Sequence, residues 1–130
     1  MISYFYMGFL SCFYIGLSLF VIAGRRRFKV SLGDAGQFEM IRYIRIHANF
    51  SEYVPMALLL IYVSEMSGAT PAFVHSMALL LCVGRALHAY GLYKTHRSSW
   101  QRFVGTNATF AVYYVIGIRL MIENGDKVFG

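Results

Sequence analysis

The segment Arg42-Tyr-Ile-Arg-Ile-His-Ala-Asn-Phe-Ser-Glu-Tyr-Val-Pro55 carries charged side chains directly into the apolar stretch 56–63. Charged groups at the mouth of a helix apolar enough to cross a membrane are costly to hold there, so they call for a functional explanation. At about 100° per residue, Arg45, Asn49 and Glu52 share one helix face, and Arg42 lies beside them. The segment therefore predicts a transmembrane helix with a narrow polar stripe.

The composition indicates an integral membrane protein. Of the 130 residues, 58% are hydrophobic and only 14% are charged, whereas soluble domains carry roughly 25% charged residues. The formal net charge is +6, but the basic residues lie mostly beside apolar segments. We interpret them as a topology signal, not as a nucleic-acid-binding surface.

The apolar segments predict four transmembrane helices in a single domain that covers residues 1–130. The first 23 residues lack a charged side chain and precede the basic run Arg25–Lys29. A secretory signal peptide has its basic residues before the apolar segment, which is the reverse of the order here. The apolar segment is also long enough to span a bilayer. The predicted helices cover approximately residues 2–24, 41–66, 72–93 and 103–122.

Basic residues mark the two connections that we expect on the cytoplasmic side. The segments 25–40 and 94–102 hold or border most arginines and lysines, whereas the turn 67–71 contains none. The positive-inside rule then predicts that both termini lie outside. Small residues that offer faces for close contact of the fourth helix with its neighbours are Gly105, Ala108, Ala111 and Gly117.

The third predicted helix adds Arg85 and His88, three residues apart on one face. Arg85 has no acidic neighbour on its own helix. Because ionisable groups in membrane bundles pair across helices, we predict that Glu52 is the partner of Arg85.

Together these residues predict a binding site for a small anion near the cytoplasmic face. Arginine presents a planar fork of donors that matches a carboxylate. One carboxylate among several arginines leaves a net positive pocket that can also accept an ammonium group. A peptide with two carboxylates and one ammonium would satisfy the cluster Arg42, Arg45, Arg85, Arg102, Asn49 and Glu52.

Histidine and cysteine do not predict a metal site. Cys12 and Cys82 both lie inside apolar runs without the spacing of a metal motif, and the four histidines are scattered along the chain. We therefore expect no bound metal.

The segment Arg45-Ile-His-Ala-Asn49-Phe-Ser-Glu52-Tyr53-Val-Pro55 closely resembles the signature of the MAPEG family, the membrane-associated proteins in eicosanoid and glutathione metabolism. The resemblance extends to Val83-Gly-Arg85-Ala-Leu-His88 and to Arg102-Phe-Val-Gly105. It covers essentially the whole chain and is strongest to the short bacterial members.

The resemblance implies a homotrimer that binds glutathione between subunits near the cytoplasmic face of a bacterial inner membrane. A lipophilic substrate would arrive from the bilayer. Arg102 matches an arginine placed beside the glutathione sulfur, where a guanidinium favours the nucleophilic thiolate. The other residues expected to bind glutathione are Arg45, Asn49, Glu52, Tyr53, Arg85, His88, Arg42 and, from the inner end of the first helix, Arg27.

The implied activity is that of a glutathione transferase for hydrophobic electrophiles. The thiol of glutathione could also support a peroxidase activity at the same site. One alternative is a non-catalytic membrane protein that binds a lipid or has a regulatory role, because the family contains such a member. A small channel or transporter would use the same buried charges, but the polar groups cluster at one membrane face instead of crossing the bundle.

Overall fold

The computed structural model describes residues 1–129, which form four long helices. They are α1 (Ile2–Phe28), α2 (Phe38–Met66), α3 (Pro71–Lys94) and α4 (Trp100–Phe129). Each is long and apolar enough to cross a membrane, and no strand occurs among the described residues. The prediction of an all-α membrane protein with a four-helix bundle is confirmed.

All four helices extend beyond the bounds expected from the sequence, α1 and α4 the furthest. The last turn of α1 includes the three consecutive arginines, and Lys29 ends the helix in the left-handed conformation (φ 56°). The α4 helix continues past Asn124-Gly125 to Phe129. At the position where the sequence predicted an end, Nδ2 of Asn124 donates to the carbonyl of Leu120 (2.9 Å), so this side chain bonds back to the helix and does not cap its end.

Two short loops form one end of the bundle, which we call the basic end. The loop 29–37 joins α1 to α2, and the loop 95–99 joins α3 to α4. In the first loop, Gly33 and Gly36 have positive φ angles of 66° and 72°, which glycine adopts without steric cost. Asp34 Oδ1 accepts a hydrogen bond from the Gly36 amide (2.8 Å) and stabilises this turn.

The closest helix contact joins α3 to α4 through two glycines. A Cβ atom on Gly105 would lie 2.8 Å from the backbone nitrogen of His88, and one on Gly84 would lie 3.0 Å from Cβ of Ala108. The predicted small face of α4 is therefore confirmed at Gly105 and Ala108. The prediction is wrong at Gly117, where a Cβ would meet no other heavy atom of the described chain within 4 Å.

At the opposite end of the bundle, an α2 side chain caps the start of α1. Glu65 accepts hydrogen bonds from the backbone nitrogens of Ile2 (2.7 Å) and Ser3 (2.9 Å), and also from the Ser3 hydroxyl. The first N–H groups of a helix have no partner within the helix. Glu65 supplies that partner from a neighbouring helix.

The glycine contact gives a stability prediction with a matched control on the same helix. We expect Gly105→Ala to destabilise the protein by about 1–3 kcal/mol, because the added methyl forces α4 away from α3. Gly117→Ala adds the same methyl where there is space, so it should leave stability unchanged or raise it slightly. Thermal unfolding in detergent measures both, and equal melting temperatures for the two variants would contradict the prediction.

Candidate functional site

A polar cavity of about 320 Å³ opens at the basic end between α2, α3 and α4. We call it the inner cavity. It brings together five of the residues predicted to form the site. Its lining consists of Phe38, Ile41, Arg42, Arg45 and Asn49 from α2, His88 and Leu92 from α3, His96 from the loop 95–99, and Arg102 from α4.

Backbone carbonyls hold two of the cavity arginines in place. Arg42 Nη1 donates to the carbonyl of Tyr93 (3.1 Å), and Arg102 Nη1 donates to the carbonyl of Arg97 (3.1 Å). Gly91 lets α4 come close at this point, since a Cβ there would lie 2.8 Å from Cγ of Arg102. Each guanidinium keeps further N–H donors with no hydrogen bond to residues 1–129.

The inner cavity is electropositive. Three arginines contribute to its lining, and no carboxylate does. Low-dielectric walls strengthen the field of such a cluster. The arrangement therefore suits an anion with carboxylate groups. Among the described residues, no three His, Cys, Asp or Glu side chains lie close enough together to hold a metal ion.

Arg85 lies behind the inner cavity, and its partner differs from the prediction. The residue is only 3% exposed. Its Nη1 donates to Oδ1 of Asn49 (2.7 Å) and its Nη2 to the carbonyl of Gly105 (3.0 Å). The predicted pairing with Glu52 is wrong. Asn49 lies nearly one turn closer to the basic end, and Glu52 pairs instead with Arg45 on the exposed side of α2.

The Arg45–Glu52 ion pair connects the inner cavity to a second cavity. Nη1 of Arg45 lies 3.5 Å from Oε1 of Glu52, and the two side chains are 52% and 50% exposed. The second cavity, of about 520 Å³, is mainly aromatic, and we call it the aromatic cavity. Its lining consists of Glu52, Tyr53, Met56, Phe110, Tyr113 and Tyr114.

Tyr53 belongs to the aromatic cavity and not to the inner one. Its carbonyl accepts a hydrogen bond from the Tyr113 hydroxyl (2.7 Å), and its ring centroid lies 5.6 Å from Cζ of Arg85. The ring centroids of Tyr53 and Phe110 are 5.9 Å apart. Tyr53 therefore joins α2 to α4 beside the inner cavity.

Arg27 lies outside both cavities. Its Cζ lies 5.3 Å from the ring centroid of the neighbouring Phe28, and its side chain is exposed. Four further residues line the inner cavity although no motif marked them as site residues, namely His96, Leu92, Phe38 and Ile41. Two of them gave a usable signal: Leu92 shares the helix face of Arg85 and His88, and His96 lies in the predicted inner loop between Lys94 and Arg97.

Comparison with known proteins supports the relationship that the motifs indicate. The model of the MAPEG family matches residues 3–122. The chain is also 39% identical over 90 residues to the inner membrane protein YecN of Escherichia coli K12. The aligned segment covers 69% of this chain and 67% of the relative. The same figures hold for YecN of Escherichia coli O6:H1. No solved structure matches the chain significantly.

Proposed function

Because this chain belongs to the MAPEG family of membrane proteins, we propose that it is a glutathione transferase that joins the glutathione thiolate to lipophilic electrophiles. The observation that carries the proposal is the pair of adjoining cavities. One is lined by three arginines and the other by aromatic side chains, and the Arg45–Glu52 ion pair lies between them. This arrangement suits a water-soluble anionic thiol beside a lipid-soluble partner.

Glutathione fits the donor set of the inner cavity. It carries two carboxylates and one ammonium, and the guanidinium forks of Arg42 and Arg45 match carboxylates. Asn49 adds an amide at the same wall. The carboxylate of Glu52, half exposed at the edge of the aromatic cavity, provides an acceptor for the ammonium.

Arg102 is the residue that we assign to the chemistry. A nearby guanidinium lowers the cost of ionising a thiol, and the thiolate is the nucleophile. The thiol proton passes to solvent, the sulfur forms a bond to an electrophilic carbon, and the leaving group departs with its electron pair. With a lipid hydroperoxide, two glutathione molecules would instead yield the alcohol, water and glutathione disulfide.

The aromatic cavity is the proposed site of the lipophilic substrate. Its volume of about 520 Å³ and its tyrosine and phenylalanine lining suit an apolar molecule. Because α2 and α4 are both apolar enough to span the membrane, such a substrate would enter from the bilayer. Membrane lipid is then both the solvent of the substrate and a neighbour of the protein.

We propose that three copies of the chain assemble around this site. In a single chain, Arg45 and Glu52 are half exposed on a helix that can span the membrane. Charged groups that face lipid are costly, and a neighbouring subunit would cover them. The inner end of α1 in a neighbouring subunit would also supply Arg27, which does not reach the inner cavity of its own chain.

The proposed location is the inner membrane of a bacterium, with both termini outside and the basic end toward the cytoplasm. The relatives are named inner membrane proteins. The lysines and arginines of the loops at the basic end support this orientation by the positive-inside rule.

Glutathione binding tests the substrate. We expect saturable binding to the purified wild type and at least tenfold weaker binding to Arg42→Ala, because a charged hydrogen bond contributes about 1.5–3 kcal/mol. Arg97→Ala is the matched control, since its exposed side chain does not line the inner cavity, and it should bind like the wild type. Isothermal titration calorimetry gives the Kd, and a folded wild type that does not bind would refute the proposal.

Turnover tests the role of Arg102 and separates an enzyme from a lipid-binding protein. With 1-chloro-2,4-dinitrobenzene as the electrophile, we expect Arg102→Ala to lower kcat about 10–100-fold at neutral pH. The loss should shrink at higher pH, where the thiol ionises without help. A wild type that binds lipids but has no turnover, with lipid affinity independent of glutathione, would favour the non-catalytic alternative.

Native mass spectrometry tests the assembly. We expect a mass three times the 14.8 kDa of one chain when the protein is released from detergent or nanodiscs. Glu52→Gln removes the carboxylate charge from the ion pair that the neighbouring subunit covers in this proposal, and we expect it to weaken the assembly. A monomer at all protein concentrations would exclude a site shared between subunits.

A further inference from the structure

Arg85 holds three helices together without reaching the inner cavity. Its guanidinium bonds to Asn49 on α2 and to the Gly105 carbonyl on α4, and it is almost fully buried. It is absent from the residues that line the inner cavity, whereas Asn49 is present. A ligand in that cavity would therefore meet Asn49 and not Arg85.

The chemistry of the two side chains fixes which way the Asn49 amide points. A guanidinium offers only N–H donors, so the amide atom 2.7 Å from Nη1 must be the carbonyl oxygen. In a planar amide, the Nδ2 group then lies on the side away from that contact. Within residues 1–129, the Asn49 Nδ2 has no hydrogen-bond partner, and its two N–H donors remain for a ligand.

A second contact fixes the Arg85 guanidinium, so that it cannot reorient when the Asn49 amide rotates. Nη2 donates to the Gly105 carbonyl (3.0 Å), at the point where α4 comes closest to the His88 backbone. The ring of Tyr53 faces the Arg85 guanidinium, and its centroid lies 5.6 Å from Cζ. A reversed Asn49 amide would place its N–H donors against those of the fixed guanidinium, so the reversed orientation is disfavoured.

We infer that Arg85 is a positioning residue that acts through Asn49. It holds the amide so that Nδ2 faces the inner cavity and donates to an acceptor of the ligand, a carboxylate or a peptide carbonyl. This inference rests on the proposed function, because glutathione supplies that acceptor. It differs from the expectation that Arg85 itself contacts glutathione.

A double-mutant cycle on the glutathione Kd tests the inference. Arg85→Met keeps an unbranched apolar stem but removes the guanidinium and every donor, and we expect it to weaken binding about tenfold, as Asn49→Ala should. In the Asn49→Ala background, Arg85→Met should have no further effect. Additive losses would show that Arg85 acts on the ligand directly and would overturn the inference.

Arg85→Lys is the conservative control, because an ammonium is also a pure donor and can hold the same carbonyl oxygen. We expect it to restore most of the binding lost in Arg85→Met. Binding by Arg85→Lys as weak as that by Arg85→Met would overturn the inference, provided that both variants keep the wild-type melting temperature.

A measurement on the wild type covers the case in which Arg85→Met does not fold. With ¹⁵N-labelled asparagine, the Asn49 side-chain NH₂ signal, assigned by its loss in Asn49→Ala, should shift on titration with glutathione and saturate at the calorimetric Kd. An unshifted signal at saturating glutathione would overturn the inference but leave the proposed function standing. A wild type that does not bind glutathione would overturn the proposed function, and the inference with it.

Discussion

A buried guanidinium sets the geometry of this bundle. Taking a permanent charge into a low-dielectric interior is costly unless hydrogen bonds offset the cost. Nη1 and Nη2 of Arg85 find acceptors on two other helices, whereas its buried Nε has no partner among the described residues. One acceptor is a backbone carbonyl that comes within reach only because Gly84 and Gly105 let α3 and α4 approach closely. The polar stripe of α2 supplies the other acceptor, so the charge fixes the relative positions of three helices.

The fold and much of the inner cavity could be predicted from the sequence because both depend on local patterns. Helical periodicity places Arg45 and Asn49 on one face, and apolar length defines the four spans. The spacing of Arg85 and His88 indicates a second contributing helix. The small residue Gly105 indicates where α4 approaches its neighbour.

The remaining features depend on contacts that no local pattern encodes. The partner of Arg85 depends on the relative height of α2 and α3, and a shift of nearly one turn decides between Asn49 and Glu52. His96 reaches the inner cavity through the path of a loop. Arg27 does not line the inner cavity of its own chain, and only the proposed assembly would bring it to the inner cavity of another.

The cap that Glu65 provides has a consequence for biogenesis. The first N–H groups of α1 bond to a side chain in the last turn of α2, which the ribosome makes about sixty residues later. Until that turn arrives, the start of α1 depends on water or lipid headgroups for its hydrogen bonds. The α1–α2 hairpin is therefore the smallest part of the chain in which the first N–H groups of α1 have their partner, and membrane insertion of α1 alone would leave them without it.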